Sequence, residues 1–166
     1  MPDALPVLGF VTLQRLAELA WSARNERRLR TRGAYEVGAG HYPFMVALHA
    51  LWLAGLWILA WPQPANGWCV AAYAALQILR VWVIASLGEC WTTRIIVLPD
   101  APLVRAGPYR FLRHPNYVVV AIEIALLPVA FGLWIYAAIF SLANAAILAW
   151  RIRAEDRALA NQERPV

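Results

Sequence analysis

Twelve consecutive residues, Ala106-Gly107-Pro108-Tyr109-Arg110-Phe111-Leu112-Arg113-His114-Pro115-Asn116-Tyr117, hold two arginines, a histidine, two tyrosines and two prolines. A long apolar run follows them directly. Charge placed against such a run is costly unless it serves a purpose. Gly107-Pro108 favours a turn. Pro115 biases His114 away from helical geometry and itself suits the first turn of a helix. The free N–H groups of that helix start would attract an anionic group such as a carboxylate. The plain alternative is a juxtamembrane arginine cluster with belt tyrosines.

A second cluster, Arg151-Ile152-Arg153-Ala154-Glu155-Asp156, follows the last apolar run. Helical spacing sets Arg151 and Glu155 on one face. Such an acid could take a ribose hydroxyl or an ammonium, and such an arginine a carboxylate. The same residues also suit a solvated helix end. His41 and His49 flank the start of another apolar run, near Glu36 and Tyr42. A neutral histidine there could act as a general base, or simply be hydrogen-bonded at a helix end. Cys69 and Cys90 form no CxxC pair, and the three histidines lack zinc spacing, so no metal is expected.

The elements that carry these residues are apolar. Hydrophobic residues make up 61% of the 166, and the mean hydropathy is +0.52. One soluble core of this size cannot hide so much apolar surface, so the excess faces lipid. No cleavable signal peptide is expected, because Asp3 precedes the first apolar run and no basic stretch leads it. All fifteen basic residues are arginine. They lie in groups between apolar runs, which fits anionic headgroups and not nucleic acid.

Five spans are predicted: roughly 4–23, 42–61, 68–87, 116–131 and 133–150. Pro62-Gln63-Pro64 ends the second, and Gly132 makes the last two a tight hairpin. Thirteen of the fifteen arginines, Arg164 among them, then fall on one side. That side is cytoplasmic, with the N-terminus outside and the C-terminus inside. Residues 88–114 are too polar to span and form a folded cytoplasmic cap. The expected fold is thus an all-α integral membrane protein of about five helices. It forms one domain over 1–166, with 4–87 on the substrate side and 88–159 on the cofactor side. Arg15, Glu18, Arg80 and Glu123 lie within spans and need partners; Arg80 with Glu123 and Arg15 with Glu18 are the expected pairs.

The stretch from Gly107 to Tyr117 resembles the signature of the isoprenylcysteine carboxyl methyltransferase family, integral-membrane enzymes that use S-adenosylmethionine. Arg151 to Leu159 resembles that family's second motif, an arginine, a paired acid and then leucine. The resemblance covers about Leu87 to Leu159. It implies a cofactor between the cytoplasmic loop and the last two helices. Gly107, Tyr109, Arg113, His114, Pro115, Tyr117, Arg151 and Glu155 are the candidate cofactor residues. Asn144, alone in the fifth span, is either a further cofactor contact or an interhelical hydrogen-bonding residue.

Three departures are visible: Val119 where many members have glycine, Asp156 for glutamate, and no tyrosine-rich tail before Val166. The N-terminal half is similar to a small bacterial subgroup. It carries Arg15-Leu16-Ala17-Glu18-Leu19, Arg24-Asn25-Glu26, Gly33-Ala34-Tyr35-Glu36, His41-Tyr42-Pro43, and Trp91-Thr92-Thr93-Arg94 to Pro99. Members of that subgroup resemble methyltransferases that O-methylate alkylpyrones or alkylresorcinols. The implied acceptor is a lipophilic small molecule, and the implied location a bacterial inner membrane with the site facing the cytoplasm. Arg94 is the candidate oxyanion holder, and His41 or Glu36 the candidate base. A prenylcysteine-like carboxylate is the rival acceptor. A non-catalytic scaffold or small transporter subunit is the rival class.

Overall fold

Between Pro6 and Gly33 the chain has no proline, and its polar end Arg24–Thr31 is rich in helix formers. The first helix, α1 (Ala4–Thr31), therefore runs a full two turns beyond the apolar segment. An Arg30–Glu26 pair at i,i+4 supports that extension. Gly33, at φ +88°, ends it, where Ala34 N–H bonds back to the Leu29 carbonyl. The arginines from Arg24 to Arg30, expected between the first two spans, are thus helical.

The computed structural model describes residues 4–162 apart from Pro62, Asp100 and Leu103; the side chains of Leu159, Asn161 and Gln162 also lie outside the description. Asp3, Pro62 and Arg164, named above, are among the residues not described. The molecule is 78% helical. After α1 come β1 (Tyr35–Glu36), α2 (Tyr42–Leu59), α3 (Gly67–Leu87), β2 (Ile96–Val97), α4 (Pro115–Ala130) and α5 (Trp134–Gln162). Asn66 caps α3 by accepting the Trp68 and Cys69 N–H groups. Gly132, at φ +73°, turns α4 into α5 in the tight hairpin expected. The fifth helix does not stop at Trp150. It has 29 residues, or about 43 Å, and carries the second motif on its last turns.

Among the described residues, three segments are long and apolar enough to cross a bilayer: Ala39–Leu59, Gly67–Cys90 and Trp134–Ala158. The fourth helix has 16 residues, about 24 Å against a hydrocarbon core of about 30 Å. Large apolar side chains, such as Leu13, Ile58, Ile78 and Ile135, stand outward on four of the helices. Such a surface suits lipid and marks a membrane protein.

The helices meet through Leu8 and Val11 of α1, Trp52 and Leu56 of α2, Tyr73 of α3, and Ile124 and Leu127 of α4. Trp52 anchors the centre, donating its indole N–H to the Ile124 carbonyl at 3.2 Å. Beside this core the four in-helix charges form one cluster. Glu123, wholly buried, takes Arg15 at 2.6 Å and Arg80 at 2.7 Å. Glu18 takes Arg15 at 3.1 Å and also pairs with Arg80. Both predicted pairs form, and each also crosses to the other. Each of these four charges is then matched, as a low-dielectric interior demands.

The connection between α3 and α4 folds as a cap. Strands β1 and β2 pair antiparallel, Tyr35 opposite Val97 and Glu36 opposite Ile96. Ile95 and Val97 bury against Ala154 and Ala158 of α5. Asn25 of α1 holds the cap's start by donating to the Gly88 and Trp91 carbonyls at 3.1 and 2.8 Å. The cap therefore sits on the α1 and α5 ends and closes over the start of α4.

Candidate functional site

Two cavities lie beneath this cap. The larger, about 720 Å³, is bounded by the cap and by the ends of α4 and α5. Its wall carries Arg94, Arg105, Arg110 and Arg113, together with Tyr109, His114, Tyr117, Glu155 and Asp156. The smaller, about 300 Å³, lies among α1, α2, α4 and α5. Its surface is mostly apolar, with four leucines, two valines and Trp52 on it, and Arg15, Glu18, Arg80 and His49 also line it. The two share Trp91, Thr92, Asn116 and Tyr117. A polar chamber and an apolar chamber thus meet at one wall.

Tyr117 organises that wall. Pro115 starts α4, so Tyr117 falls in its first turn and faces α5. Its hydroxyl accepts the Arg151 Nε–H at 2.7 Å and donates to Glu155. The two motif residues, one helical turn apart, therefore meet through the phenol and not through each other. His114 stacks on the Tyr117 ring, with centroids 5.3 Å apart. Its Nε2 lies 3.2 Å from Asp156 and its Nδ1 3.7 Å from Glu155. Arg113 is exposed and reaches Asp156 only at 3.9 Å. Burial raises the Tyr109 phenol above its ordinary range, and the Glu155 charge adds to that. Tyr109 is thus a neutral hydrogen-bonding group on this wall.

Arg151 is buried and fully engaged. Besides Tyr117, it donates to the Thr93 carbonyl at 2.6 Å and lies 3.4 Å from both His41 Nε2 and Met45 Sδ. Arg151 lines the apolar chamber, not the polar one. Arg94 does line the polar chamber. Its guanidinium covers the Tyr42 ring at 3.9 Å and donates to Glu36 at 2.7 Å. Burial works against its charge, yet the Glu36 hydrogen bond holds its pKa above the ordinary value.

Several expected residues take other places. His41 lines neither cavity. An arginine can only donate, so His41 Nε2 must accept from Arg151, leaving no lone pair there for a base. Glu36 also lies off both walls, held by Arg94 and by Arg30 at 3.1 Å. Asn144 is buried in α5, seven residues before Arg151, and lines neither cavity. Seven residues are about 10.5 Å of helix, which carries Asn144 away from the cap. Pro115 and Gly107 shape the backbone and do not line the walls. Gly107 needs its φ of +55°, and a Cβ there would lie 2.1 Å from Ser86 Oγ.

Of the shared wall, the sequence singles out Tyr117 as a site residue, and not Trp91, Thr92 or Asn116. Asn116 Oδ1 and Trp91 Nε1 are both buried without a hydrogen-bond partner. An orphaned acceptor and an orphaned donor in one wall are expensive unless a ligand meets them. Asn116 was detectable as a polar residue in the first turn of an apolar helix. Trp91 offered only its aromatic type.

The isoprenylcysteine carboxyl methyltransferase family model matches residues 69–161, more than half of the chain. An uncharacterized protein of Bacillus subtilis (strain 168), YpbQ, is 39% identical over 158 residues, 92% of this chain and 94% of that protein. An uncharacterized protein of Haemophilus influenzae is 27% identical over 160 residues, 89% of each chain. No solved structure matches. With both motifs on the walls of one chamber pair and the family model covering them, the chain belongs to the isoprenylcysteine carboxyl methyltransferase family, and is a membrane methyltransferase.

Proposed function

We propose that the protein transfers a methyl group from S-adenosylmethionine to the hydroxyl oxygen of a lipidic acceptor, an alkylpyrone or alkylresorcinol. The carrying observation is the wall shared by a basic, polar chamber and an apolar one. When bound, the cofactor supplies a sulfonium methyl. The residues present suit it. Arginines offer donors for its carboxylate, and Glu155 and Asp156 accept from hydroxyls or an ammonium. The acceptor's tail fits the apolar chamber, and Trp91 lies on the wall between its ring and the polar chamber.

In this reading Tyr117, Arg151 and His41 keep the shared wall rigid, so that oxygen, methyl and sulfur align. His41 is a positioning residue for Arg151. Gly107 sets the cap against α3, and Arg94 faces the polar chamber, where it can hold an anionic group. The family's own name suggests a carboxylate acceptor instead; the small apolar chamber favours a ring with a tail over a prenylated protein end. All five helices lie in the bacterial inner membrane, α1 and α4 with partners at their charged or short ends. The cap faces the cytoplasm, in line with its arginines.

Incubating purified protein with labelled cofactor and a total lipid extract, then weighing the product, tests the reading. A methylated phenolic or pyrone lipid is expected. Methylated prenylcysteine alone would overturn the choice of acceptor. No cofactor binding would restore the scaffold or transporter class.

A further inference from the structure

The apolar chamber holds one basic nitrogen that the site described above leaves idle. His49 stands one helical turn after Met45 on α2, and its Nδ1 is 2.8 Å from the Met45 carbonyl. A carbonyl only accepts, so Nδ1 carries the hydrogen and Nε2 carries a lone pair. His49 lines the apolar chamber. Apart from Asn116 Oδ1, which is buried without a partner, the side-chain oxygens of that wall are committed. Glu18 receives Arg15, Arg80 and Gln14. The Tyr117 hydroxyl lies between Arg151 and Glu155, and the Thr93 hydroxyl between Ser22 and Tyr42.

Resting on the methyl-transfer reading, we propose that His49 is the catalytic base for the acceptor hydroxyl. His49 Nε2 accepts the hydroxyl proton as the oxygen lone pair forms the O–C bond to the sulfonium methyl. The C–S bond breaks, its electron pair passes to sulfur, and a neutral thioether leaves. The proton then departs from the imidazolium to solvent through the polar chamber. The assignment also sets acceptor chemistry: a weakly acidic phenol needs His49, whereas a hydroxyl that arrives ionised does not.

The test uses full-length protein, His49→Gln and His49→Leu, with acceptors that share an alkyl tail but differ in hydroxyl acidity. His49→Gln should match the unaltered protein on the most acidic acceptor and fall roughly 100-fold behind on the least acidic. Cofactor affinity, measured on the same samples, should not change. Without cofactor, the unaltered protein and His49→Gln should bind the free hydroxyl better than its methyl ether. His49→Leu should lose that preference, roughly tenfold. A deficit uniform across the series, or none, overturns the base while leaving the methyl-transfer reading intact. Failure of the unaltered protein to methylate any acceptor overturns both.

Discussion

Arg151 sets its Nε 2.7 Å from the Tyr117 hydroxyl, and through that contact α5 is fastened to the first turn of α4. The phenol passes its own hydrogen to Glu155. One hydroxyl therefore fixes both a cation and an acid whose positions shape the wall between the chambers. Arg151 retains the Thr93 carbonyl when the phenol is removed, whereas Glu155 keeps only the distant His114.

Tyr117→Phe should leave helix content unchanged and release Glu155. Hydrogen bonds to charged groups contribute about 1.5–3 kcal/mol each. Cofactor affinity should fall roughly 10- to 100-fold by that measure, read by calorimetric titration in detergent. An affinity within twofold of the unaltered protein would show that Glu155 is positioned without the phenol.

Glu155 can be separated from its support. Glu155→Ala removes the acid and leaves Tyr117 with Arg151. If the acid contacts the cofactor, this change should weaken binding at least as much as Tyr117→Phe, and the double variant should add little, since the two act as one unit. Full additivity of the two losses would place them on separate tasks.

The helices were legible because apolar runs, Pro115 and Gly132 mark them from chain chemistry alone. The polar last turns of α1 were not, since a charged helix has no apolar stripe to announce it, whereas the spacing of Arg151 and Glu155 did mark the polar end of α5 as helical. The motif residues Tyr109, His114, Tyr117 and Glu155 do share one chamber. His41 and Glu36 line neither chamber, because closeness in sequence to a helix start does not decide which way a side chain turns. The direction is set by Arg151 and Arg94, which arrive from remote parts of the chain. Trp91 and Thr92 sit in an irregular segment without a period, so no pattern could place them on the shared wall.

The charge cluster makes a stability prediction. Glu123→Ala strips Arg15 and Arg80 of a shared, fully buried carboxylate. Removing one partner from a buried pair costs about 3–5 kcal/mol. A strongly lowered melting temperature is expected. Glu123→Leu combined with Arg80→Met should recover much of the loss, because it removes charges of both signs together. A Glu123→Ala protein as stable as its parent would show that the cluster is open to water.

Cys90 offers a direct reading of the polar chamber. It is exposed, and it lines the chamber wall beside Trp91. The other cysteine, Cys69, lies on α3 near its capped start and lines neither chamber. In a Cys69→Ala background, a maleimide should therefore report on one position. Thiol reactivity depends on access to the thiolate, so a ligand filling the chamber should slow labelling without altering the thiol's chemistry. Added S-adenosylmethionine should reduce the labelling rate several-fold, with half-protection near the dissociation constant from titration. Tyr117→Phe should shift that midpoint upward by the same factor as its affinity loss. Labelling that ignores the cofactor while titration still detects binding would move the cofactor out of this chamber.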